Sequence, residues 1–92
     1  MHKALSELES RATLRILVTL LITGPLSFSE LANKVGSSNV TIYNALKRLK
    51  KVDLIAEERE EDFPRRRLIS LTEKGRKIAK LLVEIEKILS EE

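Results

Sequence analysis

The segment Ser38–Ile55, SNVTIYNALKRLKKVDLI, constrains this chain most, because its side chains sort onto two faces at a helical period. With Ile42 at the centre of the inward face and 100° per residue, Ala45, Leu46 and Leu49 fall beside it. Val40, Asn44, Lys47 and Lys51 point the opposite way, flanked by Thr41, Tyr43 and Arg48. One face is a core stripe. The other carries short hydrogen-bonding groups near the N-terminus and cations towards the C-terminus, as expected where first turns meet base edges and later turns meet phosphates. A solvated polar face would account for the cations but not for Val40, an outward apolar residue with no core to fill. Contact with a thymine methyl would explain it. Asn44 suits adenine, and Lys47 or Arg48 suits guanine or phosphate. Tyr43 suits phosphate or sugar, or else packs against the hairpin that follows.

The flanking sequence supplies the remaining elements. The N-terminal stretch is helical in two pieces or one bent piece, with Leu5 and Leu8 on one face and Ser10 as cap for a helix Arg11–Thr23. Leu14, Leu17, Val18 and Leu21 have core spacing in that helix, and Gly24-Pro25 ends it. Leu26–Phe28 is a stub of strand. Ser29 caps a second helix, Glu30–Val35, although Ser27 and Glu30 also have capping-box spacing. In this helix Leu31 and Val35 turn inward, and Gly36 closes it. Ser38 then caps the long helix, completing a helix-turn-helix. Ile55–Glu60 and Arg65–Leu71 read as a β-hairpin around the turn Glu61–Pro64.

Thr72 caps a last helix reaching about Leu89. There Ile78, Leu82, Ile85 and Leu89 have coiled-coil spacing, with Leu81, Val83 and Ile88 beside them. With Leu5 and Leu8, this apolar surface is wider than one small core needs. The expectation is a homodimer joined through Leu5, Leu8, Leu81, Leu82, Ile85, Ile88 and Leu89. The acidic Glu84, Glu86, Glu91 and Glu92 then form a solvated outer face.

Composition removes other classes. The 92 residues make one domain, and no cysteine is present, which excludes disulfides, thiolate metal sites and thiol catalysis. Lys plus Arg exceed Asp plus Glu by 17 to 14, a net charge of +3; the placement of charge therefore matters more than its sum. No signal-peptide pattern appears, since Glu7, Glu9, Arg11 and Arg15 interrupt any apolar run. Ile16–Ile22 is far short of the ~20 residues that span a bilayer. A cytoplasmic, nucleoid-associated protein without membrane contact is expected. No catalytic triad, phosphate-binding glycine loop or metal-ligand cluster is present, so neither enzyme activity nor a cofactor is expected. The absence of Gln and Trp in a chain one-third charged hints at a thermophilic source.

Three ordered stretches, TLRILVTLLITGPLSFSELANKVG, SNVTIYNALKRLKKVDLI and RRRLISLTEKGRKIAKLL, resemble the winged helix-turn-helix transcription regulators of bacteria and archaea, near the MarR, ArsR and HxlR groups. The resemblance runs from about Leu14 to Leu82, and LTEKGR matches the passage from wing to final helix. The order read along the chain is α-α-β-α-α-β-β-α, and with the resemblance it implies a mainly α fold with a small β-hairpin. Residues 1–92 are expected to form one winged domain, with segments of about 1–10 and 73–90 for dimerisation. The chain departs from the family at Ser37, where an apolar residue is common, and at Asp53, where Gly is usual. An ArsR-type metal sensor is not supported, because cysteine is absent and His2 is the only histidine.

The expected function is sequence-specific binding of double-stranded DNA by a dimeric regulator. Ser38, Val40, Thr41, Tyr43, Asn44, Lys47, Arg48 and Lys51 would enter the major groove. Arg65, Arg66 and Arg67 on the wing would touch the flanking backbone or minor groove; alternatively they pair with Glu57, Glu58, Glu60, Glu61 and Asp62 of the same hairpin. A sequence-tolerant architectural chromatin protein and a protein-interaction module of the transcription machinery are the alternatives. A small-molecule effector in the dimer cleft stays open.

Overall fold

A computed structural model describes residues 3–6 and 8–91; His2, Glu7 and Glu92 lie outside them. The elements run α1 (Lys3–Ser6), α2 (Arg11–Thr23), α3 (Phe28–Val35), α4 (Asn39–Lys51), β1 (Ile55–Arg59), β2 (Arg67–Leu71) and α5 (Glu73–Leu89). This is a winged helix-turn-helix with a long C-terminal helix.

Each helix starts where a side chain satisfies its free N–H groups. The Ser10, Ser38 and Thr72 hydroxyls accept from the N–H of Thr13, Thr41 and Gly75 respectively. For α3 the cap is Ser27, not Ser29. Ser27 Oγ accepts from Glu30 N at 3.3 Å, while Glu30 Oε1 accepts from Ser27 N at 3.0 Å. A cap at Ser29 would forgo this reciprocal pair, so the helix begins two residues earlier than Glu30. Gly36 closes it with φ +79°, the left-handed conformation that glycine adopts without penalty.

Helix α4 stops at Lys51, earlier than a helix read through to Ile55. Asp53 turns the chain with φ +62°, and Ile55 already belongs to β1. The two strands pair antiparallel from Ile55↔Leu71 to Arg59↔Arg67. Both are shorter than expected, and Glu60–Arg66 form the tip. The strand stub reduces to one residue. Leu26 exchanges both backbone hydrogen bonds with Ile69, at 3.1 and 2.7 Å, while Phe28 joins α3.

Helix α2 is the centre of the domain, packed by α3, α4, α5 and β2. Its buried residues are Ala12, Thr13, Ile16, Leu17 and Leu20, a stripe rotated from the expected Leu14, Leu17, Val18 and Leu21. Leu14 is exposed, and Val18 and Leu21 are half-buried. Periodicity found the helix but not its phase, because neighbours cover α2 on more than one side. Ile16, Leu17, Leu31, Ile42 and Leu49 are fully buried, each contributing about 1.5–3 kcal/mol of burial. As expected, Leu31, Val35, Ile42, Ala45 and Leu49 face inward.

Helix α5 packs its first half onto the body through Gly75 and Ala79. Ile78 and Leu82 are half-buried there, so they belong to the domain's own core rather than to a free seam. Leu8 is packed against the same core. The exposed apolar residues on α5 are Leu81, Ile85, Ile88 and Leu89, joined by Leu5, Leu14 and Ile22. Among the described residues, no helix is long and apolar enough to cross a membrane, and no cluster of potential metal ligands occurs.

Candidate nucleic-acid interface

The outward face of α4 is presented by its cap and by its exit. At the N-terminus the Ser38 hydroxyl accepts from Thr41 N at 3.2 Å and donates to Thr41 Oγ1 at 2.9 Å. Ser38 is therefore occupied in shaping the first turn, while Thr41 retains its own hydroxyl proton for an outside acceptor. At the C-terminus Thr72 Oγ1 donates to the Asp53 carbonyl at 2.7 Å, and Leu54 O accepts from Thr72 N at 3.1 Å. This fastens the end of α4 to the start of α5.

Between these anchors Val40 is 69% exposed and Tyr43 58%. Asn44, Lys47, Arg48 and Lys51 are exposed too. Lys47 Nζ sits 5.7 Å from the centre of the Tyr43 ring, a cation–π arrangement that pre-orients both side chains. Cations cluster in the last turn, where the helix dipole favours them.

A groove of about 400 Å³ separates α4 from the wing. Tyr43, Lys47, Lys50, Glu57 and Arg67 line it. Glu57 lies 3.9 Å from Lys50 and 3.6 Å from Arg67. Tyr43 thus stands beside the wing and is still largely exposed.

The wing arginines divide. Arg66 Nε and Nη2 each lie 2.8 Å from Glu60, and Nη1 lies 3.4 Å from Glu30. The Glu60 hydrogen bond and the two carboxylate charges hold the Arg66 guanidinium above its ordinary pKa. Glu30 is held below the ordinary carboxylate value, first by the Ser27 N–H and hydroxyl and then by Arg66. Arg65, with φ +56°, sits in the tip, and no ion pair engages its side chain among the described residues. Among the described residues, Glu58, Glu61 and Asp62 take no part in the ion pairs.

The sequence pattern does not single out Arg59. A four-residue turn at Glu61–Pro64 would set Arg59 opposite Arg66; the observed register sets it opposite Arg67. A one-residue difference in turn length redistributes every cross-strand pair. Arg59 Nη1 donates to the Arg65 carbonyl at 3.1 Å, holding the left-handed residue in place. Its position one step after Glu57 and Glu58 in an alternating strand was the available signal, and the acidic run masked it.

A second groove of about 580 Å³ lies between α2 and α5. Leu14, Val18, Ile22, Ile85 and Leu89 border it, together with Arg15 and Lys34.

Over residues 7–92 the chain matches the HxlR-like helix-turn-helix family. A solved mutant form of ZitR from Lactococcus lactis is 32% identical, with TM-score 0.76 over 86% of this chain and 54% of that one. NMB1585, a MarR family regulator from Neisseria meningitidis, is 29% identical, with TM-score 0.72 over 86% of this chain and 56% of its own. The reduced form of the transcriptional regulator YodB from B. subtilis shares the fold at 24% identity, TM-score 0.76, covering 91% of this chain and 82% of that chain. The chain spans little more than half the length of the first two structures. No curated protein matches it.

Proposed function

The chain belongs to the HxlR-like helix-turn-helix family, and on that footing we propose that it is a transcription regulator that binds double-stranded DNA sequence-specifically as a homodimer. The observation that carries this reading is the exposed outer face of α4. Val40, Thr41 and Asn44 stand exposed towards its start, and Lys47, Arg48 and Lys51 towards its end. In the major groove, Val40 meets a thymine methyl and Asn44 an adenine edge, while the cations reach guanine or phosphate. Arg59, Arg65 and Arg67 lie along the flanking backbone. The carboxylates of Glu61 and Asp62 keep the tip from deep insertion, which shifts most sequence reading onto α4.

Dimerisation supplies the second recognition helix. Leu81, Ile85, Ile88 and Leu89, with Leu5, offer a second copy an apolar strip that the single domain leaves in water. A two-fold pair through α5 and the N-terminal segment would set the two α4 helices about one DNA turn apart.

The test is selection of duplexes from a random pool, followed by binding titrations at several salt concentrations. Lys47→Ala or Arg48→Ala lowers the slope of log K against log salt by about one. Val40→Ala or Asn44→Ala costs ~1–3 kcal/mol on the selected site but little on random sequence. Absence of duplex binding at low salt would refute the reading.

A further inference from the structure

We propose that Arg66 is a positioning residue and not a phosphate contact: it locks the wing to the first turn of α3 and so sets the wing's angle to α4. The inference rests on the DNA-binding reading for its consequence, but the lock itself is a property of the free protein.

Besides the Glu57–Lys50 pair to α4, the hairpin meets the Leu26–Glu30 segment at two points. Leu26 pairs with Ile69 through two backbone hydrogen bonds. Four residues on, Glu30 meets Arg66, three residues nearer the tip than Ile69. The Glu57–Lys50 pair lies at the level of Ile69, opposite which Glu57 stands, so these two ties alone leave the part of the hairpin towards the tip free to swing. A further attachment at Arg66, one residue beyond β2 on the tip side, fixes the angle.

Arg66 is built into that attachment from both sides. Its backbone carbonyl accepts from Glu60 N at 3.0 Å, and its guanidinium donates to Glu60 Oε1 at 2.8 Å, closing the loop. Its Nη1 faces Glu30 Oε1, the same oxygen that accepts from Ser27 N at 3.0 Å. The α3 capping box therefore aims the carboxylate that receives the wing. One guanidinium between two carboxylates leaves a local charge of −1, which repels a phosphate. A planar fork serves two carboxylates at once, which a lysine ammonium at the same place does poorly.

The absence of cysteine allows a clean test by spin labels at Asp62→Cys on the tip and Asn33→Cys on α3. Without DNA, the labelled chain, diluted into an excess of unlabelled protein so that partner subunits carry no label, gives one narrow distance distribution. Arg66→Gln, Arg66→Lys and Glu30→Gln each broaden it, and Gln at position 30 preserves the capping box so that α3 stays folded. An unchanged distribution in these variants would overturn the proposal. Titration with a selected duplex gives a second readout of opposite sign for the two roles. Glu30→Gln removes a negative charge yet weakens binding about fivefold if it frees the wing, the upper end of what exposed ion pairs carry. A phosphate-binding Arg66 would instead be released from a competitor, and affinity would rise. Such a rise, or full activity of Arg66→Lys, would also overturn the proposal. Failure of the unsubstituted protein to bind any duplex would refute the DNA-binding reading while leaving the distance result intact.

Discussion

Gly75, in the first turn of α5, passes so close to the Leu54 backbone that a Cβ there would overlap the Leu54 carbonyl. The same junction carries the hydrogen bonds from Thr72 to the Asp53 and Leu54 carbonyls. The LTEKGR segment is therefore a structural splice. Its threonine joins α5 to the exit of α4, and its glycine allows the contact.

Gly75→Ala is expected to destabilise the domain by about 2–3 kcal/mol, because the obstacle is backbone that cannot rotate away. Thermal unfolding of the variant should fall by roughly 10 °C or more. A change of only a degree or two would mean that α5 can shift without cost.

Thr13 is fully buried, and its Oγ1 has no hydrogen-bond partner among the described residues. Val has nearly the same shape and a similar helix propensity, and lacks the hydroxyl. Thr13→Val should therefore stabilise the protein by about 1 kcal/mol. Denaturant titration checks this. Destabilisation of that size would show that the hydroxyl is satisfied after all.

Arg59 and Arg67 face each other directly across the hairpin, and like charges so placed cost a few tenths to ~1 kcal/mol. Arg59→Gln keeps a donor for the Arg65 carbonyl and removes the repulsion. Thermal stability should stay level or rise slightly while DNA affinity falls and the salt slope drops by about one. An unchanged slope would remove Arg59 from the interface.

Ile85 and Leu81 are exposed on α5, whereas Leu82 is packed against the core. Leu81→Lys with Ile85→Lys should yield a folded monomer by light scattering, with helical content kept. Leu82→Lys should instead unfold the domain. A double variant that remains dimeric, or an unsubstituted protein that is monomeric, would move the dimer contact elsewhere.

The elements and most of the caps follow from the sequence alone, because those depend on neighbours a few residues away. Ser10, Ser38 and Thr72 cap where the sequence implies, Gly24 and Gly36 end their helices, and the inward stripe of α4 lies on Ile42, Ala45 and Leu49. The outward Val40 was legible for the same reason: a helix with one buried stripe has a defined opposite face.

Tertiary packing settles the rest, which depends on which surfaces meet. It chose the phase of the α2 stripe, burying Thr13 and Ile16 and leaving Leu14 exposed. It assigned Ile78 and Leu82 to the core and freed Leu81 and Ile88. In the wing, sequence showed a run of arginines beside a run of carboxylates, and composition is blind to pairing. Strand register and the approach of α3 turned that run into distinct residues: Arg66 held between Glu60 and Glu30, Arg67 beside Glu57, and Arg59 and Arg65 without a carboxylate partner among the described residues. Local chemistry fixes where a helix begins. Only long-range packing fixes which of several like charges remain available to a partner.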